Sequence, residues 1–210
     1  MIRILLADDH TIFRQGLKEL LANTEDLVVA EEAATGREAI SRARENDIDL
    51  VLLDISMPDI HGIDVLKSIR QARPDIPVII LSMHSEVEYG LRALKAHASG
   101  YLVKDCRAGD LLSAIRKVYA GQKYISPHLA ELIAAKTYGH KGFAPHEILS
   151  DREYQILAMI AAGKRIKDIA GILGLSPKTV STYRHRLLGK LHMESNEDLC
   201  TYARNHGLLD

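Results

Sequence analysis

Three aspartates, a lysine and a serine stand at the ends of apolar runs in the first half of the chain. Asp8 and Asp9 follow "IRILLA", Asp54 follows "LVLL", Ser82 closes "VIILS" and Lys104 follows "GYLV". Carboxylates gathered in one place repel one another, so a cation must share the space. Oxygen ligands with no His or Cys set beside them favour Mg2+, which binds through carboxylates and water. A carboxylate next to such an ion can attack a phosphoryl group and carry it as an aspartyl phosphate. Phosphoryl transfer asks for positioning and charge neutralisation more than for covalent chemistry. Lys104 would neutralise phosphoryl oxygens, and the Ser82 hydroxyl would donate to another. Each residue alone has an ordinary reading, because a lone Asp at a strand end commonly caps a helix or turn. Five suitable residues at four strand ends favour a site.

The elements that would position them are legible as alternating patterns. Short Val/Ile/Leu-rich runs at 2–7, 27–32, 50–55, 78–82 and 100–104 suit strands buried on both faces. Between them, residues 13–21, 36–44, 62–69, 87–96 and 110–118 carry helical spacing. Five strand–helix units predict an α/β doubly wound, five-stranded parallel sheet. Such a sheet places its ligand crevice at the carboxyl ends of the strands. Residues 121–149 change character, with scattered glycines and prolines and one helix expected over 127–138. Four helical segments without strand alternation follow. The expected division is therefore 1–122, a linker at 123–146, and a small all-α, four-helix domain at 147–210.

Composition narrows the class further. Hydrophobic residues make up 47% and charged residues 26%, the balance of a globular chain able to bury a core. The formal net charge of −1 advertises no bulk affinity for nucleic acid. Cys106 and Cys200 lie far apart, as free thiols in a reducing compartment would. The N-terminal apolar run is too short for a signal-peptide core or a membrane span, so a cytoplasmic location is expected and a membrane partner is not. The ten histidines form no C-x-x-C or H-E-x-x-H ligand set, which argues against zinc.

The helical half marks its helix starts. "SDRE" at 150–153 reads as a capping box, Ser176-Pro177 pairs an N-cap with proline at the first helical position, and Ser195 with Asp198 is a weaker third case. "IKDIAGILGLS" closes at Gly174 and runs at once into the next helix, the spacing of a helix-turn-helix. On a helical wheel Val180, Leu187, Leu188 and Leu191 gather on an inner side. Lys178, Ser181, Thr182, His185 and Gly189 gather opposite with Arg186 on the flank, a face suited to a major groove. Arg186 and Lys190 are candidates for phosphate contacts. The wheel puts Arg184 on the inner side, where pairing with an acid such as Glu153 is expected.

These residues match known families. Residues 1 to about 120 resemble the receiver domain of two-component response regulators, a flavodoxin-like fold, through Asp8-Asp9, "LLDISMPDIHG", Ser82 and "GYLVKD". The resemblance implies that Asp54 accepts a phosphoryl group from a sensor histidine kinase or phosphotransfer protein. It also implies Mg2+ held by Asp8, Asp9, Asp54 and the main-chain carbonyl of Ser56, and a switch in which Ser82 moves and Tyr101 turns inward. Two residues depart from the receiver pattern. Met83 stands where a small residue is common, and could shield the phosphoryl group, while Asp105 stands where proline is common. Residues 147–210 resemble the LuxR-type DNA-binding domain of the NarL/FixJ regulators. That likeness implies contact with double-stranded DNA through Lys178, Ser181, Thr182 and His185, and a homodimer contact from the last helix, with Leu199 and Tyr202 as candidates. A regulator is thus expected rather than an enzyme. A phosphatase of the haloacid dehalogenase type would need a second Asp where Ser56 stands. A pure interaction module would have no use for an acid-free helix face after Ser176.

Overall fold

The computed structural model describes residues 1–45, 47–83, 86–137 and 145–208. Its first unit comprises residues 1–138 and its second 139–210. In the first, strands β1 (Ile2–Ala7), β2 (Leu27–Ala33), β3 (Leu50–Leu53), β4 (Val78–Ser82) and β5 (Gly100–Val103) form one sheet in the order β2-β1-β3-β4-β5. All four pairings are parallel. Each strand is followed by helix: α1 (Thr11–Ala22), α2 (Gly36–Glu45), α3 (Gly62–Ala72), α4 (Leu91–Lys95) and α5 (Ala108–Tyr119).

Strand alternation sends Ile4, Leu6, Leu50, Leu52, Ile79, Leu81 and Leu102 into one core with Leu17 and Leu21 of α1 and Leu111, Ile115 and Val118 of α5. Leu5, Val51, Leu53, Ile80 and Tyr101 alternate to the other face and are buried as well. A strand buried on both faces has no use for polar residues, which explains the continuous apolar runs. Strand order reverses at β1 and β3, so the crossovers on either side part there and leave a crevice beyond their carboxyl ends.

The α4 region begins differently from the expected single helix over 87–96. A π-helical turn at Glu86–Gly90 precedes the short α4. Residues 84 and 85 before it lie outside the described residues. The expected linker also gains structure: α6 (Pro127–Thr137) packs on that π-turn, with Leu129 fully buried and so close to Gly90 that a Cβ added there would fall 2.9 Å from its Cδ1. The Ser126 hydroxyl accepts from the Leu129 N–H and itself donates to Glu86, so one side chain starts the helix and ties it down. The expected end of that helix at Tyr138, and linker residues 138–144, lie outside the described residues.

In the second unit a 3-10 turn (Pro145–Ile148) precedes α7 (Asp151–Ala161), α8 (Ile166–Leu173), α9 (Pro177–Leu191) and α10 (Asn196–Asn205). Ser150 and Ser195 both make reciprocal capping boxes, and Ser176 caps α9 ahead of Pro177. Gly174, at φ 62°, ends α8 in the left-handed conformation that glycine adopts without steric cost, and lets α9 begin three residues later. Among the described residues, no helix is long and apolar enough to cross a membrane.

Candidate functional site

The tips of β1, β3 and β5 deliver their charges to one point. Asp8 and Asp54 are each 2% exposed, and between them lies Lys104, whose Nζ is 2.7 Å from Asp8 Oδ2 and 2.8 Å from Asp54 Oδ2. Backbone pairing carried past the strands fixes this register: Asp54 N–H donates to Ala7 O and Lys104 N–H to Ser82 O, both at 2.8 Å. The lysine ammonium also lies 4.7 Å from the Phe13 ring centroid, a cation–π contact that holds it over the crevice. The second oxygen of Asp54 accepts from Ser56 N–H at 3.1 Å. Gly62 completes the setting. A Cβ there would fall 2.4 Å from Asp54 O and 2.5 Å from Ile55 Cα, so only glycine lets α3 start against the back of Asp54. Asp59 accepts from the N–H groups of Gly36 and Arg37, anchoring the loop after β3 to the start of α2.

This arrangement is what makes a carboxylate at the tip of a buried strand tolerable. Burial pushes the Asp54 carboxyl upward, and the Lys104 hydrogen bond and charge only partly offset it. Burial alone would lower Lys104, but its bonds to Asp54 and Asp8 outweigh that and raise it, so it stays an ammonium.

Sequence reasoning missed His10. Its ring Nδ1 lies 3.1 Å from Asp8 Oδ1, 2.8 Å from Asp9 Oδ1 and 4.0 Å from Asp54 Oδ2. The expectation of an all-oxygen pocket is therefore corrected: four groups, Asp8, Asp9, His10 and Asp54, place one ligand atom each within 4.8 Å of one another. The signal was adjacency to the acidic pair, but which way a side chain points after a strand ends depends on the turn. Asp9 Oδ1 is buried without an aligned hydrogen-bond donor, as an oxygen reserved for a cation would be. The cluster can hold a divalent metal.

Of the switch residues, Ser82 is fully buried at the end of β4. Tyr101, the aromatic expected to turn inward on phosphorylation, is also fully buried. Met83, the residue expected to shield the phosphoryl group, is 71% exposed.

On α9, Val180, Leu187, Leu188 and Leu191 are buried, while Lys178, Ser181, Thr182, His185 and Arg186 are exposed. Three expectations need correction. Lys190, a candidate phosphate contact, donates to Glu153 Oε2 at 2.6 Å, and that oxygen also accepts from Ser150 N–H and Oγ. Its charge is thus engaged in tying α9 to α7. Arg184, expected on Glu153, instead donates to Asn196 Oδ1 at the start of α10. Leu199 is fully buried and Tyr202 is 8% exposed, with the tyrosine hydroxyl accepting from His146 N–H at 3.1 Å. Both side chains serve the core of this unit and are not available to a dimer partner.

A parallel α/β unit that gathers acids and a lysine at its switch point, followed by a helix-turn-helix unit, is the architecture of a DNA-binding response regulator. Residues 4–116 match the response regulator receiver domain, and residues 147–203 match the bacterial regulatory proteins of the luxR family. Response regulator GacA of Pseudomonas viridiflava is 39% identical over 100% of this chain and 99% of its own. Response regulator UvrY of Escherichia coli strain K12 is 38% identical over 99% of this chain and 96% of its own. Among solved structures, RcsB from Salmonella enterica serovar Typhimurium, bound to promoter rprA with phosphomimetic BeF3−, is 27% identical. It covers 96% of this chain and 98% of its own at a TM-score of 0.71. The chain belongs to the NarL/FixJ response regulators with a LuxR-type DNA-binding domain, which are phosphorylation-controlled transcription regulators and not enzymes.

Proposed function

We propose that Asp54 is the phospho-acceptor, that a sensor histidine kinase or phosphotransfer protein is the donor, and that the modified protein binds promoter DNA as a homodimer. The observation carrying this reading is the position of Lys104 Nζ, bonded at once to Asp8 and Asp54. An Asp54 oxygen attacks the phosphorus, and the donor imidazole leaves. Lys104 then transfers its hydrogen bond from the carboxylate to a phosphoryl oxygen, and the Ser82 hydroxyl donates to another. Mg2+ held by Asp8, Asp9, Asp54 and the Ser56 carbonyl supplies the remaining neutralisation when bound. The group added carries about −1.5 to −2 charges at neutral pH. A coupling of roughly 1–3 kcal/mol is enough to shift domain contacts or dimerisation.

Functionally the chain divides into a receiver at 1–122 and a DNA-binding part at 147–210. They are joined through 123–146, where α6 rests on the π-turn eight residues after β4 begins. Lys178, Ser181, Thr182 and His185 face the groove, with Arg186 at a phosphate. Two such helices read half-sites about one helical turn apart. The promoter-bound RcsB structure, a DNA complex with a phosphomimetic, supports this reading by family. The two free thiols fit a cytoplasmic location. Footprinting on genomic fragments tests the proposal. Acetyl phosphate should strengthen protection by the wild type and leave Asp54→Asn unchanged, whereas an equal response in both would place the acceptor elsewhere.

A further inference from the structure

His10 is not one of the ligands that the receiver resemblance implies, yet the geometry assigns it to the metal set. We infer that the His10 imidazole completes a mixed nitrogen–oxygen site that prefers a first-row transition-metal dication of the Mn2+ class to Mg2+. This inference rests on the proposal that Asp8, Asp9 and Asp54 hold a divalent cation.

The separations carry it. Ligands about 2.1 Å from an octahedral ion stand about 3.0 Å apart when adjacent and about 4.2 Å apart when opposite. Nδ1 of His10 is 3.1 Å from Asp8 Oδ1 and 2.8 Å from Asp9 Oδ1, the spacing of neighbours on an octahedron. It is 4.0 Å from Asp54 Oδ2, the spacing of opposite vertices. The imidazole meets Asp8 as a hydrogen-bond partner, while the equally close Asp9 Oδ1 has no aligned donor although it is buried. The Asp8 bond uses the Nδ1 proton, so Asp9 Oδ1 at 2.8 Å receives none, and a metal ion that displaced that proton would find the nitrogen and this oxygen at the spacing of two of its ligands. The backbone helps: His10 N–H donates to Asp8 Oδ1 at 2.8 Å, which fixes the turn that brings the ring back over the acids.

A nitrogen donor changes which ion the pocket favours. Mg2+ is a hard cation that keeps water and oxygen, whereas imidazole gains affinity along the series from Mn2+ onward. Mn2+ is the informative probe because isolated surface histidines bind it weakly. With the full-length protein, electron spin-echo modulation of bound Mn2+ should show coupling to one 14N nucleus that His10→Ala abolishes. Calorimetry should find that this substitution weakens Mn2+ at least about tenfold while Mg2+ changes less than about threefold, the selectivity expected of a nitrogen ligand. The His10 side chain is 59% exposed, so the variant retains the core. Absence of nitrogen coupling in the wild type, or equal weakening of both ions, would overturn the assignment of His10 while leaving the carboxylate site intact. Failure of both ions to bind the wild type would instead overturn the metal site itself.

Discussion

Replacing Lys104 by methionine removes the ammonium, with its ion pairs and its contact with the Phe13 ring, and keeps an apolar stem of similar length, which isolates the electrostatic contribution. What remains is a pair of carboxylates, each 2% exposed, with their shared ammonium gone. Deleting one partner of a buried ion pair costs about 3–5 kcal/mol, because the other is left charged and unpaired. Here Asp54 can take up a proton, since burial already raises it and Lys104 is the chief influence in the opposite direction. That escape places the expected loss near the lower end, about 3 kcal/mol, or roughly 6–12 °C in melting temperature for a chain of this size. A divalent ion at a hundred times its dissociation constant returns about 2.7 kcal/mol. Lys104→Met should therefore melt well below the wild type in EDTA and recover most of the difference in Mg2+. Its gain from the ion should exceed that of the wild type, in which ammonium and metal compete for the same oxygens. Far-UV circular dichroism at pH 7.5 measures both. An unchanged melting temperature in EDTA, or a Mg2+ response no larger than that of the wild type, would refute the electrostatic account of the crevice.

Asp54→Asn should raise stability at neutral pH without metal. Burial holds the folded-state pKa of Asp54 above that of a free aspartate, so its contribution is favourable below the ordinary carboxylate range and is lost as pH rises through the folded value. The advantage of the variant should therefore vanish on acidification into the carboxylate range, and urea titrations from pH 4 to 7.5 will show whether it does. Gly62→Ala forces a methyl against backbone atoms that cannot rotate away, so it should cost about 1–3 kcal/mol or more and slow labelling by acetyl phosphate. Wild-type melting and labelling in that variant would show that α3 does not set the position of Asp54. On DNA, Arg186→Ala should lower the salt dependence of binding by about one unit, measured by fluorescence anisotropy, as expected for one lost phosphate contact. Lys190→Met should change that slope less and lower the melting temperature instead, because its ammonium is committed to Glu153.

The sheet and the identity of the crevice were legible because both rest on short-range signals. Apolar runs mark doubly buried strands, and the residue that ends each run is placed at the rim by the parallel topology. Features that depend on side-chain direction after an element ends were not legible. His10 turns back over the acids, Met83 turns out to solvent, and Tyr101 already lies inside, yet sequence spacing gives only the face of a strand and never the rotamer. Helical phase was similarly coarse. A wheel that assumes uniform turns placed Arg184 toward Glu153, but the acid is met by Lys190, about one and two-thirds turns later. The docking of α6 was hidden because Gly90 and Leu129, which meet there, lie in segments whose own patterns say nothing of each other.

The central claim is that the acid set by β3, held by Lys104 and its neighbours, is the group that becomes phosphorylated. Intact-mass spectrometry of the full chain after treatment with acetyl phosphate and Mg2+ tests it most directly. The wild type should gain the mass of one phosphoryl group, carried on the peptide containing Asp54, and Asp54→Asn should gain none. A wild type that remains unmodified, or an adduct that persists on the Asp54→Asn protein, would contradict it.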